Sequence, residues 1–125
     1  MFKAKVFPIT IDQGSTFNMF FTYYDKVTNE QTGVVTKTPV NLTGYGARMM
    51  VRSNFTDTTP MLSLTSTAGD IVLGGSAGTI SITASATTTA SMIPGMGVYD
   101  VEIYNGTFVR RLFGGRVEIT AEATK

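Results

Sequence analysis

Cysteine, histidine and tryptophan are all absent from these 125 residues. Without cysteine there is neither a disulfide nor a thiolate zinc site. Without cysteine or histidine the usual Cys-His and Ser-His pairs of nucleophilic catalysis cannot form. A chain free of disulfides suits synthesis in a reducing cytosol. Charge is also scarce. Charged residues make up 15% of the chain, against roughly 25% in average soluble domains. The net charge is +1, which leaves no basic stripe of the kind that holds nucleic acid. The one dense basic pair, Arg110-Arg111, has Asp100, Glu102 and Glu118 close by in sequence. No apolar run approaches the ~18 residues that a membrane-crossing helix needs. The first residues, MFKAKVFPITIDQG, carry no apolar stretch ahead of a small-residue cleavage site, so a secretion signal is not expected. Scarce charge fits two surfaces: one rich in Thr and Ser hydroxyls, or one that lies against other proteins.

What is present is β-structure. Along 97–120, Tyr99, Val101 and Ile103 alternate with Asp100, Glu102 and Tyr104, and alternation with period two gives a strand one apolar face. Asn105-Gly106 reads as a two-residue type I′ turn. A second β-rich run follows. It is broken at Gly114-Gly115 and resumes at Arg116. Elsewhere the same alternation marks further strands. Phe7, Ile9 and Ile11 form a first strand, placed at a sheet edge because Pro8 cannot donate to a ladder. Phe17, Met19, Phe21 and Tyr23 share a core face, which leaves Phe20 and Tyr24 on the outer side. There they are either covered by a neighbouring loop or presented to a partner. Ala47, Met49 and Val51 face inward, with Arg48, Met50 and Arg52 outward, and Ile80 and Ile82 face inward in a later strand.

Residues 25–45 form a long excursion, with turn-like Thr28-Asn29 and Thr32-Gly33 and with Val34-Val35 and Val40-Asn41-Leu42 as short extended pieces. It reads as a protruding hairpin between two core strands, with Lys26 and Glu30 flanking its tip, since a structureless loop of that length is uncommon. Gly74-Gly75-Ser76-Ala77-Gly78 reads as a flexible turn between strands; it lacks the lysine and following helix of a phosphate loop. The one candidate helix lies near 85–92, capped by Ser85 and stopped by Pro94-Gly95, and its threonines keep it to one or two turns. Residues 121–125 are read as a surface tail. Seven to nine short strands in a single domain, 1–125, give an all-β, Ig-like antiparallel β-sandwich with one short helix; a partly open barrel is the alternative.

Catalytic chemistry is thin. Asp100 and Glu102 stand about 7 Å apart on one strand face, a spacing that falls in the range for paired carboxylates in inverting glycosidases. The plainer reading is an exposed acidic pair balanced across strands by Arg48, Arg110, Arg111 or Arg116. Asp12, Asp25, Asp57 and Asp70 are scattered at turns, without calcium-loop spacing. Asn41-Leu42-Thr43 matches a glycosylation triplet, which carries no weight without secretion. The expectation is a non-enzymatic protein with no cofactor and no metal.

Four segments in order, the last of them in two pieces, carry a resemblance. They are Ile9-Thr10-Ile11-Asp12-Gln13-Gly14-Ser15-Thr16-Phe17, then Val40-Asn41-Leu42-Thr43-Gly44-Tyr45-Gly46-Ala47-Arg48-Met49. Gly78-Thr79-Ile80-Ser81-Ile82-Thr83 follows, ahead of the Ala/Thr-rich turn, and Gly97-Val98-Tyr99-Asp100-Val101-Glu102-Ile103 with Arg111-Leu112-Phe113-Gly114-Gly115-Arg116-Val117 closes the set. Together they resemble the N-terminal Ig-like domain of BppU-type baseplate proteins and related structural proteins of tailed phages. The 25–39 stretch is longer than the tight turn of that family. The chain also stops where the domain does, whereas baseplate adaptors continue into a further region. The resemblance implies a virion structural protein in the tail, baseplate or neck, present in several copies, made in the host cytoplasm and packing against other virion proteins. No nucleic acid or membrane partner is implied. Capsid decoration is the nearest alternative. A carbohydrate-binding module using Tyr23, Tyr24, Tyr45 and Tyr104 is the alternative from another class. The interface residues expected are Phe20, Tyr24, Val34, Val35 and Met50.

Overall fold

The computed structural model describes residues 5–57 and 59–124. In chain order its strands are β1 (Lys5–Val6), β2 (Ile9–Asp12), β3 (Phe17–Thr22), β4 (Tyr24–Thr28), β5 (Val35–Pro39), β6 (Gly46–Arg52), β7 (Leu62–Thr65), β8 (Ile71–Leu73), β9 (Thr79–Ala84), β10 (Gly95–Asn105) and β11 (Phe108–Thr120). A single turn of helix, α1 (Ala86–Ala90), precedes β10, and a 3-10 turn covers Gly75–Ala77. The strand number exceeds the seven to nine read from alternation partly because two strands are interrupted. Pro8, with no N–H to give, separates β1 from β2, and Tyr23 separates β3 from β4.

The larger sheet runs β1-β11-β10-β6-β7, with β2 also beside β11, and the smaller runs β3-β9-β8. Period two puts Ile11, Met49, Val51, Leu64, Val101 and Ile119 of the larger sheet into one buried core with Ile71, Ile80 and Ile82 of the smaller. The chain changes sheet between β2 and β3, β7 and β8, and β9 and β10, and passes from β3 to β6 through a separate two-stranded ribbon, β4-β5. That is an all-β sandwich with Ig-like strand order. The two sheets share no ladder, so the barrel alternative does not form. Among the described residues no helix is long and apolar enough to cross a membrane.

The first strand is an edge strand as expected, but it lies parallel to β11, pairing Lys5 with Phe113 and Ile9 with Val117. Two features hold it there. The Tyr99 hydroxyl donates to the Phe7 carbonyl at 2.5 Å, and the Phe7 amide donates to the Gly114 carbonyl at 2.8 Å. Burial pushes the Tyr99 phenol up to about 12, which keeps it a donor at any ordinary pH. Gly114-Gly115 does not break the strand: β11 runs through it. A Cβ on Gly115 would stand 3.0 Å from the Phe7 carbonyl oxygen, so the missing side chain gives β1 room to approach. The irregularity of β11 lies one step earlier. Val101 pairs with Phe113 and Glu102 with Arg111, which leaves Leu112 as a bulge. Leu112 is buried and the adjacent Phe113 packs on the core, an outcome that a regular strand, with its alternating faces, does not allow.

The helix is shorter than 85–92. Ser85 caps it, accepting from the Thr88 amide, and Ser91 closes it, before Pro94 is reached. Three threonines in five residues leave little intrinsic helicity. Tertiary bonds make up the difference. Thr89 is fully buried; its hydroxyl donates to the Ser15 carbonyl at 2.8 Å and accepts from the Gly14 amide at 3.1 Å. Gln13 spans to the Met92 carbonyl and also accepts from the Glu122 amide, so the start of the expected tail is tied down; Lys125 lies outside the described residues.

The final hairpin also differs by one residue at its turn. Asn105 pairs with Phe108, so the two-residue connection is Gly106-Thr107 rather than Asn105-Gly106. Only Gly106 has a positive φ there, at 60°, which is the pattern of a type II′ turn with glycine first. Gly106→Val is expected to destabilise the protein by about 1 kcal/mol or more, because a β-branched residue is forced to positive φ. Thermal or urea unfolding checks this, and an unchanged midpoint contradicts it.

Candidate partner-binding surface

Odd-numbered residues of the ribbon 17–28 are the ones whose main-chain groups face a partner strand. At Tyr23 that partner changes. Up to Thr22 the ribbon pairs with β9, Thr22 lying opposite Thr79. The Tyr23 amide then donates to the Gly78 carbonyl at 2.8 Å, and its carbonyl accepts from the Val40 amide at 2.9 Å. Beyond it, Tyr24 lies opposite Pro39 and Thr28 opposite Val35. The protruding hairpin is therefore a core strand that leaves the sandwich and takes β5 as its new neighbour. Pro39 costs no ladder bond, because even-numbered positions of the ribbon point their N–H groups the other way.

The glycine-rich turn 74–78 is not a flexible connector. Gly78 is buried, has φ +70°, and a Cβ there would stand 2.9 Å from the Val40 oxygen and 3.0 Å from the Tyr23 oxygen. The Leu42 amide donates to the Gly75 carbonyl at 2.9 Å, and Leu42 itself is core. The piece Val40-Asn41-Leu42 is thus an anchor rather than a strand. Rigid clasping at the base contrasts with the arm above it, where every residue of β4 and β5 is exposed. The tip closes as the turn signals predict. Asn29 accepts from Gln31 and Thr32 through its side chain, and Gly33 takes φ +73°.

Beside the arm base lies the end of the last hairpin. Tyr45 meets Phe108 edge-on with centroids 6.2 Å apart. Arg110 donates to the Tyr23 hydroxyl at 2.9 Å and lies 5.2 Å from the Phe108 ring centre. Between them, lined also by Asp25 and Val40, is a cleft of about 190 Å³. Pockets for drug-sized ligands run from about 300 Å³ upward, so this end offers a surface more than a ligand cavity.

Of the five residues expected at an interface, Tyr24, Val34 and Val35 are brought onto the arm, at 44%, 58% and 51% exposure. Phe20 stands on the outer face of β3 at 71% exposure, so among the described residues no loop covers it. Across Ser81 on the same face lies exposed Val72. Met50 is elsewhere. It is half-buried on the outer face of the larger sheet, opposite Asp100 and Ser63, and Arg52 Nη2 approaches its sulfur at 3.1 Å. Val27, Phe108 and Val109, all exposed, were not singled out by alternation. For the last two, the adjacent apolar pair after the turn is the signal, since one of two neighbours in a strand must face outward; Val27, between Lys26 and Thr28, carries no such signal. The four tyrosines do not form one platform. Tyr23 and Tyr45 are half-buried at the cleft, Tyr104 lies beneath the Arg48 guanidinium at 4.9 Å, and only Tyr24 is exposed, with Lys37 Nζ 5.9 Å from its ring centre. Glu30 sits at the arm tip, whereas Lys26 lies along β4, opposite Lys37.

The acidic pair on β10 is placed within a cross-strand row. Glu102 accepts from Arg48 Nε at 2.8 Å and lies opposite Arg111. Among the described residues Asp100 has no such bond. Desolvation first, and Glu102 second, hold its carboxyl above the usual aspartate range against the pull of Arg111, Arg52 and Arg48. No family model and no curated protein matches the chain.

A raised carboxyl pKa fixes the sign of a pH effect. Folded Asp100 binds its proton more readily than the unfolded chain does, so its contribution to stability falls as pH rises through the raised value. Asp100→Asn is therefore expected to melt higher than the parent at neutral pH, with the gap closing as pH falls below the ordinary value of 3.8. A melting series across that window checks it.

Proposed function

We propose that this chain is a structural component of a tailed-phage virion, an accessory or adaptor of the tail, baseplate or neck that works by protein–protein packing. Its partners are other virion proteins, and it acts in several copies on a larger assembly. The observation that carries the reading is the arm. A two-stranded ribbon that packs on nothing is marginal by itself in water, yet this one is clasped at its base by Gly78 and Val40 and displays Val27, Val34 and Val35. Exposed apolar residues on a ribbon of fixed direction suit a surface completed by a neighbour. The resemblance of the four segments to phage baseplate Ig-like domains and the low charge point the same way. Capsid decoration remains the neighbouring reading within this class. In either setting many weak contacts add through avidity, and each specific contact removes on the order of 1,200–2,000 Å² from water. The role is non-enzymatic and needs no cofactor.

Deleting residues 27–38 tests this. Tyr24 and Pro39 already lie opposite one another, so the shortened chain closes through Asp25-Lys26, and the core anchor Leu42 stays in place. The expected result is a domain that folds with near-parental stability but is lost from purified particles. Normal incorporation of the folded deletion contradicts the reading.

A further inference from the structure

A sheet edge is a row of unpaired N–H and C=O groups, and soluble proteins normally blunt it. With β3 and β4 taken as one edge, four of the five sheet edges among the described residues are blunted. β8 has three residues and β7 four, the first strand is cut by Pro8 and begins with a lysine, and β5 carries a lysine and a proline in five residues. The edge formed by β3 and β4 is different. It runs through 17–28, roughly 40 Å at strand rise, with no proline and with Asp25 and Lys26 as its charges. Among the described residues no strand pairs with its outer side. Because Tyr23 and Asn29 turn their main-chain groups toward β9 and β5, the even-numbered residues turn theirs outward. Asn18, Phe20, Thr22, Tyr24, Lys26 and Thr28 thus present an open ladder.

We propose that a second copy of this chain docks along this edge, antiparallel, about a two-fold axis at Thr22. The edge is complementary to itself in that register. Thr22 meets its own counterpart, Phe20 meets Tyr24 of the second copy on both sides of the axis, and Asn18 meets Lys26 of the second copy. Thr–Thr and aromatic–aromatic pairs are among the favourable cross-strand neighbours, and no like charges oppose each other. A slip of two residues puts Phe20 opposite Lys26 and removes both aromatic pairs. The register also explains the arm. β4 and β5 of one copy extend the β8-β9-β3 sheet of the other, so each exposed two-stranded ribbon becomes part of a five-stranded sheet. Val27 then covers the half-buried Phe17 of the second copy. The pairing is independent of the virion reading and leaves Val34 and Val35 at the tip uncovered for other neighbours.

The absence of cysteine allows a register-specific test on the whole chain. Opposed residues in a hydrogen-bonded antiparallel pair have Cα atoms about 5.5 Å apart, within disulfide range. Under mild oxidation Thr22→Cys is expected to give a covalent dimer. Phe20→Cys and Tyr24→Cys are expected to cross-link with each other when mixed and not with themselves, their like positions lying about 13 Å apart. Sedimentation equilibrium is expected to show a reversible dimer, which Thr22→Lys weakens about tenfold or more by placing like charges on the axis, while circular dichroism stays parental. A parent that is monomeric at every concentration overturns the proposal. So does Thr22→Cys cross-linking no faster than a Thr10→Cys control on the opposite sheet. A monomer that takes up an extended peptide along this edge also overturns it, and assigns the edge to a different partner.

Discussion

Everything beyond the sandwich depends on one change of hydrogen-bond partner at Tyr23. A buried or half-buried strand cannot leave its sheet without leaving peptide groups unpaired, and each unpaired group costs about 1–3 kcal/mol. Here the Gly78 carbonyl and the Val40 amide take over as β9 ends and before β5 begins. The ribbon therefore crosses from core to solvent with its inner row of main-chain groups satisfied throughout. Gly78 makes this possible by having no side chain: its positive φ and its approach to the Tyr23 and Val40 backbones leave no space for one. The direction of the arm is fixed by contacts that belong to the core.

The sequence is legible where period two decides the outcome. Val101 and Ile103 are in, Phe20 and Tyr24 out, and a hairpin of β4 and β5 stands between core strands, all of which follow from alternation and turn residues, although 40–42 belongs to the core and not to the hairpin. It is opaque where a feature depends on something distant. Parallel pairing of the first strand with β11 leaves no local trace. The glycines of 74–78 read as flexible because composition cannot distinguish a loose turn from a tight approach. Asn105-Gly106 reads as the turn, yet the packing of Phe108 on Tyr45 and the bulge at Leu112 accompany a register one residue later. Met50 follows its strand's alternation correctly, but its half-burial comes from Arg52 and the neighbouring β10.

Scarce charge takes on meaning once the edges are mapped. On the larger sheet's outer face Arg48 is engaged across strands, with Glu102 and with Tyr104. That partly exposed ion pair contributes at most about 1 kcal/mol and serves to neutralise the face. The outer face of the smaller sheet has no such treatment: Phe20, Ser81 and Val72 form its central row. The protein thus separates a solvated, charge-balanced side from a side that is nearly neutral and partly apolar.

The arm itself is poorly stabilised as a lone element. Lys26 lies directly opposite Lys37, a like-charge pair that weakens a two-stranded ribbon. Lys37 recovers part of this over the Tyr24 ring, on the order of 0.5–1 kcal/mol at an exposed site. Every residue of both strands is exposed, so little apolar burial adds to the balance, and the net hold on the arm above Tyr23 is close to zero. Such segments open at low cost. A partner strand along β4 would change that. It would add main-chain bonds to the outward row, cover Val27 and Tyr24, and leave the lysines on a solvated face. The features that make the arm a weak element on its own are the ones such a partner strand would reinforce, and the clasp at Gly78 and Val40 already fixes the base of the arm through the core.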